Sequence, residues 1–115
     1  MNQAEIVRAI FEALEHGVED RPDLKVTALG DLGLAICNPP QSITVSARIS
    51  SDGQRIILEY QRPDETTGVL MKKPDAIEIT LAEDETLRFV HKGAQLGFKG
   101  VAQLLIKAAE STGGL

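Results

Sequence analysis

The sequence predicts a single α+β domain, in which two helices cover one face of a mostly antiparallel sheet of about six strands. Three observations favour this two-layer fold. Apolar residues recur at helical spacing near both ends of the chain, they alternate with polar residues in between, and turn signals separate the alternating runs. At 115 residues the chain is long enough for one core and too short for two ordinary domains, so we expect residues 1–115 to form one unit.

The N-terminal segment is predicted to be an amphipathic helix over residues 3–16, with Gly17 placed to end it. Its apolar residues follow a spacing of three and four: Ile6, Val7, Ile10, Phe11 and Leu14. The charged, Pro22-containing segment 18–23 breaks this pattern, and the period then changes from 3.6 to 2.

Four strands are predicted between residues 24 and 61 by a regular alternation of apolar and polar residues. The residues assigned to the core face are Leu24, Val26, Ala28, Leu32, Leu34, Ile36, Ile43, Val45, Ala47, Ile49, Ile56, Leu58 and Tyr60. The hairpin signal Asp52-Gly53 predicts the pairs Ile49 with Ile56, Ala47 with Leu58 and Val45 with Tyr60. Every apolar residue then faces another one, as a buried sheet face requires.

Two further turns predict pairs on the same face. A turn at residues 38–41 pairs Ile36 with Ile43 and Leu34 with Val45, and a turn at residues 29–31 sets Ala28 opposite Leu32. The first four strands therefore form a meander.

The second half of the chain predicts a last hairpin and a second helix. Ile77, Ile79 and Leu81 alternate toward the core and pair with Leu87 and Phe89 across an acidic turn at residues 83–85. A helix is predicted over residues 94–110, because Phe98, Val101, Leu104, Leu105 and Ala108 repeat at three and four. Residues 110–115 are expected to fray, and both helices are expected on one sheet face.

Charge and motifs narrow the function classes. A net charge of -5 argues against nucleic acid or an anionic membrane as the main partner, because both require clustered Lys and Arg. The N-terminal segment lacks a signal-peptide pattern and no run is long enough for a membrane span, so we expect a cytoplasmic protein. The common nucleotide, hydrolase, zinc and calcium motifs are absent, and we expect neither a cofactor nor a metal.

The few reactive side chains have simple structural interpretations. His16 falls at the C-terminal end of the first helix, where an imidazolium is favourable. Cys37 has no neighbouring cation in the sequence to activate its thiol, and the acidic residues 83–85 fit a solvated turn better than a cation site. His91 could serve as a base, but a histidine bonded to backbone at a strand end is the simpler interpretation.

Three glycines in and before the second predicted helix suggest a possible ligand site. Gly93, Gly97 and Gly100 would lie on one side of it, and each lowers helix propensity by about 1 kcal/mol relative to Ala. Close packing of the helix explains them, as does contact with another subunit. The third interpretation is an anion or ligand site, formed by His91, Lys92, Gly93 and Gly97 at the helix N-terminus.

Two surfaces are predicted to meet a partner. The face of the sheet away from the helices should display Ala35, Cys37, Ser46 and Arg48, and it has unusually little charge in its small-residue region. The long segment 62–75 is either a projecting loop or contains a short extra strand. As a loop it would present Val69, Leu70, Met71, Lys72 and Lys73, in which an adaptable apolar group is flanked by lysines.

These features favour a small acidic protein-interaction module without catalytic activity, which we expect to be a homodimer. It would bind a protein partner through the open sheet face, a sheet edge or the 62–75 segment. One alternative is a small acidic chaperone or escort for a secreted protein, which rests on fold-level analogy alone. Another is a small-molecule binder or enzyme with a pocket near Tyr60, His91 and Lys92.

Overall fold

Two helices and seven strands make up residues 1–110, the part of the chain that the computed structural model describes. The helices are α1 (Gln3–Gly17) and α2 (Phe98–Glu110). The strands are β1 (Lys25–Ala28), β2 (Gly33–Asn38), β3 (Ile43–Ile49), β4 (Arg55–Pro63), β5 (Leu70–Leu81), β6 (Leu87–His91) and β7 (Ala94–Leu96), and a short 3-10 helix, Pro39–Gln41, joins β2 to β3. Apart from Glu110, the predicted fraying tail lies outside the described residues.

The strands form one sheet in chain order, β1 to β7, and every neighbouring pair is antiparallel. The predicted α+β two-layer fold is therefore confirmed, with seven strands instead of about six. The additional strand is β7, in a segment predicted to be helical. Lys92 and Gly93 have φ values of 49° and 82°, which turn the chain back onto β6 before α2 begins at Phe98.

The register of the β3–β4 hairpin agrees with the prediction at every pair. Ile49 faces Ile56, Ala47 faces Leu58 and Val45 faces Tyr60. Gly53, at the turn, has a φ of 72°, a left-handed conformation that glycine adopts without strain.

The predicted registers of the first two hairpins were wrong by two residues. Ile36 pairs with Val45 instead of Ile43, and Leu34 pairs with Ala47 instead of Val45. The cause is the turn, because the 3-10 helix and Ser42, with its φ of 57°, form a connection that closes on Asn38 and Ile43. A shift of two residues keeps every side chain on its predicted face.

In the first hairpin Ala28 pairs with Leu34 and not with Leu32, because β2 begins only at Gly33. Leu32 therefore belongs to the connection, where it is 43 % exposed, and Ala28 is exposed as well. Both were predicted to lie in the core. Leu81 was also assigned to the core wrongly: it ends β5 and is 69 % exposed.

Both helices contribute to one apolar cluster with the same face of the sheet. Its members include Ile10 and Leu14 of α1, Leu105 of α2, and Val45 and Leu58 of the sheet. The start of α1 is stabilised by a capping box, in which Asn2 accepts a hydrogen bond from the Glu5 amide and the Glu5 side chain accepts one from Asn2.

The C-terminal ends of the two helices are also tied together. After α1, the Arg21 guanidinium binds both Asp23 and Glu110, the last described residue of α2. The buried Asn38 at the end of β2 donates a hydrogen bond of 2.9 Å from Nδ2 to the carbonyl of Ala109. No helix among residues 1–110 has the length and apolar character needed to span a membrane.

Segment 62–75 is mostly strand, which corrects the projecting-loop interpretation. β4 continues to Pro63 and β5 begins at Leu70, so only residues 64–69 form the turn. The Asp64 side chain organises that turn by accepting hydrogen bonds from the amides of Thr66 and Thr67.

Candidate functional site

One face of the sheet carries no helix, and this helix-free face is the candidate interaction surface. The strand registers align its side chains in rows across the sheet. One row contains Lys25, Cys37, Thr44, Gln61 and Lys72; the next contains Thr27, Ala35, Ser46, Glu59 and Pro74; the third contains Gly33, Arg48, Ile57 and Ala76; beyond these lie Arg55, Glu78 and Val90, and then Thr80 and Arg88.

The charge of this face is opposite to that of the whole chain. Its five cations are Lys25, Arg48, Arg55, Lys72 and Arg88. Its two carboxylates are Glu59 and Glu78, so the face has a formal charge of +3 on a chain of net charge -5. The remaining surface is therefore strongly acidic, and the molecule has a positive face and a negative remainder.

Most of these cations are exposed and lie beyond ion-pair distance of every carboxylate within residues 1–110. Lys25, Arg48, Arg55 and Lys72 are exposed, and none forms an ion pair within residues 1–110. Arg88 donates a hydrogen bond of 3.0 Å to the amide oxygen of Gln95. The charges of Lys25, Arg48 and Lys72 are thus available to a partner, whereas Arg55 and Arg88 also help to lower the pKa of Asp52 and of Asp84, respectively.

On β2 and β3, a strip of small side chains lies between the cations of the helix-free face. It consists of Ala35, Cys37, Thr44 and Ser46. Ala35 is 5 % exposed because Thr27 and Ser46 flank it, so a partner would contact the two flanking residues before it reached Ala35.

The polar side chains in and beside this strip, including the Cys37 thiol, interact with one another. Cys37 is half-buried and lies 3.8 Å from the hydroxyl of Thr44, which is placed to donate to its sulfur. The carboxylate of Glu59 is engaged by Gln61, whose Nε2 donates to it over 2.6 Å. These contacts leave the cations as the dominant polar groups of the face.

The edges of the sheet offer little room for an added strand. β1 has four residues and β7 has three. β5 pairs with β6 only from Glu78 onward, which leaves its outer side open from Leu70 to Ala76. The backbone amide of Ile79 donates to the Gln54 carbonyl, and the Val69 carbonyl accepts from the Asp64 amide. The backbone groups of odd-numbered β5 residues therefore bond to β4, and those of even-numbered residues point toward the open edge.

At two positions on the open edge of β5, the backbone has no amide hydrogen free to bond with an added strand. Pro74 has no amide hydrogen, and the amide of Ala76 already donates to Asp75 Oδ1 over 2.8 Å. Lys72, which also faces outward, adds charge beside them. Proline and charged side chains protect the edges of natural sheets from strand addition in the same way. The open edge of β5 is therefore a poor docking element.

The predicted segment of Val69 to Lys73 divides between two faces. Leu70 pairs with Pro63 and Lys72 with Gln61, which places both on the helix-free side. Met71 and Lys73 point to the other side. Leu70 and Met71 are 51 % and 41 % exposed, and Val69 is 64 % exposed. We refer to Val69–Lys73 as the tip, since it begins where the β4–β5 turn ends.

His91 is brought together with Asp75, a pair that sequence reasoning missed. His91 Nε2 lies 2.8 Å from Asp75 Oδ2, and Lys92 Nζ lies 4.0 Å from the same oxygen. Burial alone would raise the pKa of Asp75, but the hydrogen bonds from His91 and the Ala76 amide, with the charges of His91 and Lys92, outweigh it. The pKa of Asp75 is therefore held below its ordinary value.

The predicted anion site does not assemble as expected. Gly93 belongs to the β6–β7 turn, whereas Gly97 lies at the far end of β7, immediately before α2. The three residues of β7 separate them, and the four extended steps from Gly93 to Gly97 span about 13 Å. Of the three glycines, only Gly100 is closely packed, because a Cβ there would lie 3.1 Å from the Leu96 side chain.

No group of three or more His, Cys, Asp or Glu within residues 1–110 is placed to hold a metal ion. Two hollows within residues 1–110 lie away from His91. One is an open groove of about 1040 Å³ beside the start of α1, and the other is a cavity of about 210 Å³ between α1 and the β1–β2 connection.

Comparison with known proteins finds no matching family model, no matching curated sequence and no matching solved structure. The fold and its surfaces are therefore the basis for a functional proposal.

Proposed function

We propose that this protein is an interaction module without catalytic activity, which binds an acidic segment of a protein partner on the helix-free face. One observation carries the proposal: four exposed cations without ion pairs surround a strip of small side chains, on a chain whose remaining surface is acidic. Small residues allow a peptide to approach closely, and free cations attract carboxylates.

An acidic polypeptide suits this face better than a nucleic acid. Single-stranded nucleic acids are held by aromatic side chains on which bases stack, and none of the described residues of the helix-free face is aromatic. Tyr60 and Phe89 are buried on the other side of the sheet.

An enzyme with His91 as its base is supported by one observation, the carboxylate of Asp75 beside the imidazole. A catalytic base also needs space for a substrate next to it. The groove and the cavity described above are lined by other residues. We therefore assign the Asp75–His91 pair a structural role, in which it holds the end of β6 against β5.

A decaglutamate peptide provides the test. We expect it to bind with an affinity that falls as salt is added, because the contact is between charged groups at the surface. Replacing Arg48 by Glu should weaken binding about tenfold, since it removes one attraction and adds one repulsion. Arg8→Glu, the same charge reversal on an exposed position of α1, is the matched control and should leave binding within about twofold.

Three outcomes would contradict the proposal. Equal losses in Arg48→Glu and Arg8→Glu would mean that net charge alone controls binding. Tighter binding of decathymidine DNA than of decaglutamate would assign the face to nucleic acid. Absence of binding by either probe at low salt would leave the face without a ligand of this chemistry.

Homodimerisation stays a prediction, but the face charge restricts how it could happen. Two helix-free faces, each with a formal charge of +3, would repel each other if they stacked. A second copy is expected to use a different surface.

A further inference from the structure

An open groove at one end of the molecule has an apolar floor and an acidic rim. We call it the terminal groove. Its floor includes the buried Ile6 of α1 and the half-buried Ile79, Leu87 and Phe98. Among the lining residues within 1–110, the charged side chains are Asp52 and Glu85, and Glu83 and Asp84 adjoin Glu85 in the β5–β6 turn. The rim also exposes Leu81, of which 69 % is accessible to solvent.

The tip has the complementary character. Val69, Leu70 and Met71 are all exposed, and Lys72 and Lys73 follow them directly. Methionine and leucine adapt to an apolar hollow, and the Lys72 ammonium beside them would meet carboxylates at its rim.

The exposed apolar residues concentrate at these two places. Among residues 1–110, seven large hydrophobic side chains are exposed. Three belong to the tip and two, Met1 and Leu81, line the terminal groove. Exposed apolar groups collected in this way indicate binding surfaces more than a random scatter would.

The tip and the groove cannot meet within one molecule. β4 leads from Gln54, which lines the groove, to Pro63 beside the tip, and β5 returns from Leu70 to Leu81. Eleven residues of extended strand between Leu70 and Leu81 span about 36 Å. The two surfaces therefore lie at opposite ends of a molecule whose longest dimension is 49 Å.

We propose that the tip of one copy of this chain binds in the terminal groove of a second copy. The contact joins two different surfaces. It uses Leu70 and Lys72 at one end of the helix-free face, and it leaves Lys25, Arg48 and Arg55 exposed to another partner. It becomes a closed pair if two antiparallel copies exchange both tips, and a chain of copies if each tip reaches a different neighbour.

Two variants remove one surface each. The tip variant carries Leu70→Asp and Met71→Asp, and the groove variant carries Leu81→Asp. All three side chains are exposed, so each variant is expected to keep the melting temperature of the original chain within a few degrees. Leu29→Asp is the control, since Leu29 is 52 % exposed and belongs to neither surface.

Sedimentation velocity over a concentration series, up to about 1 mM, measures association in a range where even weak contacts are populated. We expect the original chain and Leu29→Asp to associate, and the tip and groove variants each to stay at the monomer mass of 12.4 kDa. An equimolar mixture of the two variants should form a species of two subunits, because one retains the groove and the other retains the tip.

The mixture separates this proposal from other modes of association. A monomeric original chain at the highest concentration would overturn the proposal, as would unchanged association of either variant. Failure of the mixed variants to associate would also overturn it. Decaglutamate binding by the groove variant is expected to match that of the original chain, because Leu81 lies on the other side of the sheet from the helix-free face. The tip–groove contact and the function proposed for the helix-free face can therefore fail independently.

Discussion

The two halves of the β4–β5 hairpin share the same pair of strands but have opposite surroundings. In the half near the helices, Leu58 and Ile77 are 0 % exposed, whereas Leu70 and Met71 at the tip are 51 % and 41 % exposed. The backbone ladder continues through both halves, so strand pairing does not require burial on both sides. The buried half is committed to stability, and the tip is free to serve binding.

Shortening a leucine side chain should give the largest difference in stability between the two halves of the hairpin. Leu58→Ala is expected to lower the free energy of unfolding by about 2–5 kcal/mol, because it leaves a cavity in the cluster under both helices. Leu70→Ala removes the same atoms from the tip and should change that free energy by about 0.5 kcal/mol or less. Urea unfolding measures both, and equal losses would contradict the division of the hairpin.

A smaller loss is expected where the sheet is tied to the end of α2. Asn38→Ala removes the donor to the Ala109 carbonyl from a buried position, which should cost about 1–3 kcal/mol. Thr44→Val, on the opposite face of the next strand, provides the comparison and should cost less, since its hydroxyl contacts only the Cys37 sulfur at 3.8 Å. A neutral Asn38→Ala variant would show that this contact adds nothing to stability.

The Asp75–His91 pair lies between the two halves of the hairpin, and removing it should lower the stability of the protein by an amount that depends on pH. Asp75→Asn is expected to destabilise the protein by about 1 kcal/mol at pH 7. The folded pKa of Asp75 is lowered, so its stabilisation is complete above the unfolded pKa and disappears as pH falls through the folded value. The difference from the original chain should therefore start to shrink below about pH 4, near the unfolded pKa of an aspartate, and should disappear only below the lowered folded pKa. Thermal unfolding from pH 7 to pH 2.5 tests this, and a constant difference would contradict it.

The parts of the fold that were predictable depend on local rules. Asp52-Gly53 located the β3–β4 connection, and the predicted register holds although the strands close on Ser50 and Arg55, with the Gly53 amide donating to the Ser50 carbonyl. The 3-10 helix after Asn38 could not be anticipated from alternation, since a register shift of two residues preserves every buried face. The same limit hid β7, whose turn depends on a left-handed Lys92.

The candidate surface was predictable in outline. Alternation placed Ser46 and Arg48 on the face away from the core, where the structure has them. The excess of positive charge appears only when five strands are aligned, because its cations come from β1, β3, β4, β5 and β6. Asp75 was missed as the partner of His91, because segment 62–75 was considered mainly as a loop and its register on β4 was unknown.

Methyl-detected NMR of the chain titrated with decaglutamate tests the central claim most directly, since methyl groups report separately on the two faces of the sheet. Our account predicts shifts of the Thr27, Thr44, Ile57 and Ala76 methyl groups, with Ile36, Val45 and Leu58 unchanged on the helix-covered side. Shifts centred on the helices, or on residues of both faces equally, would contradict the assignment of binding to the helix-free face.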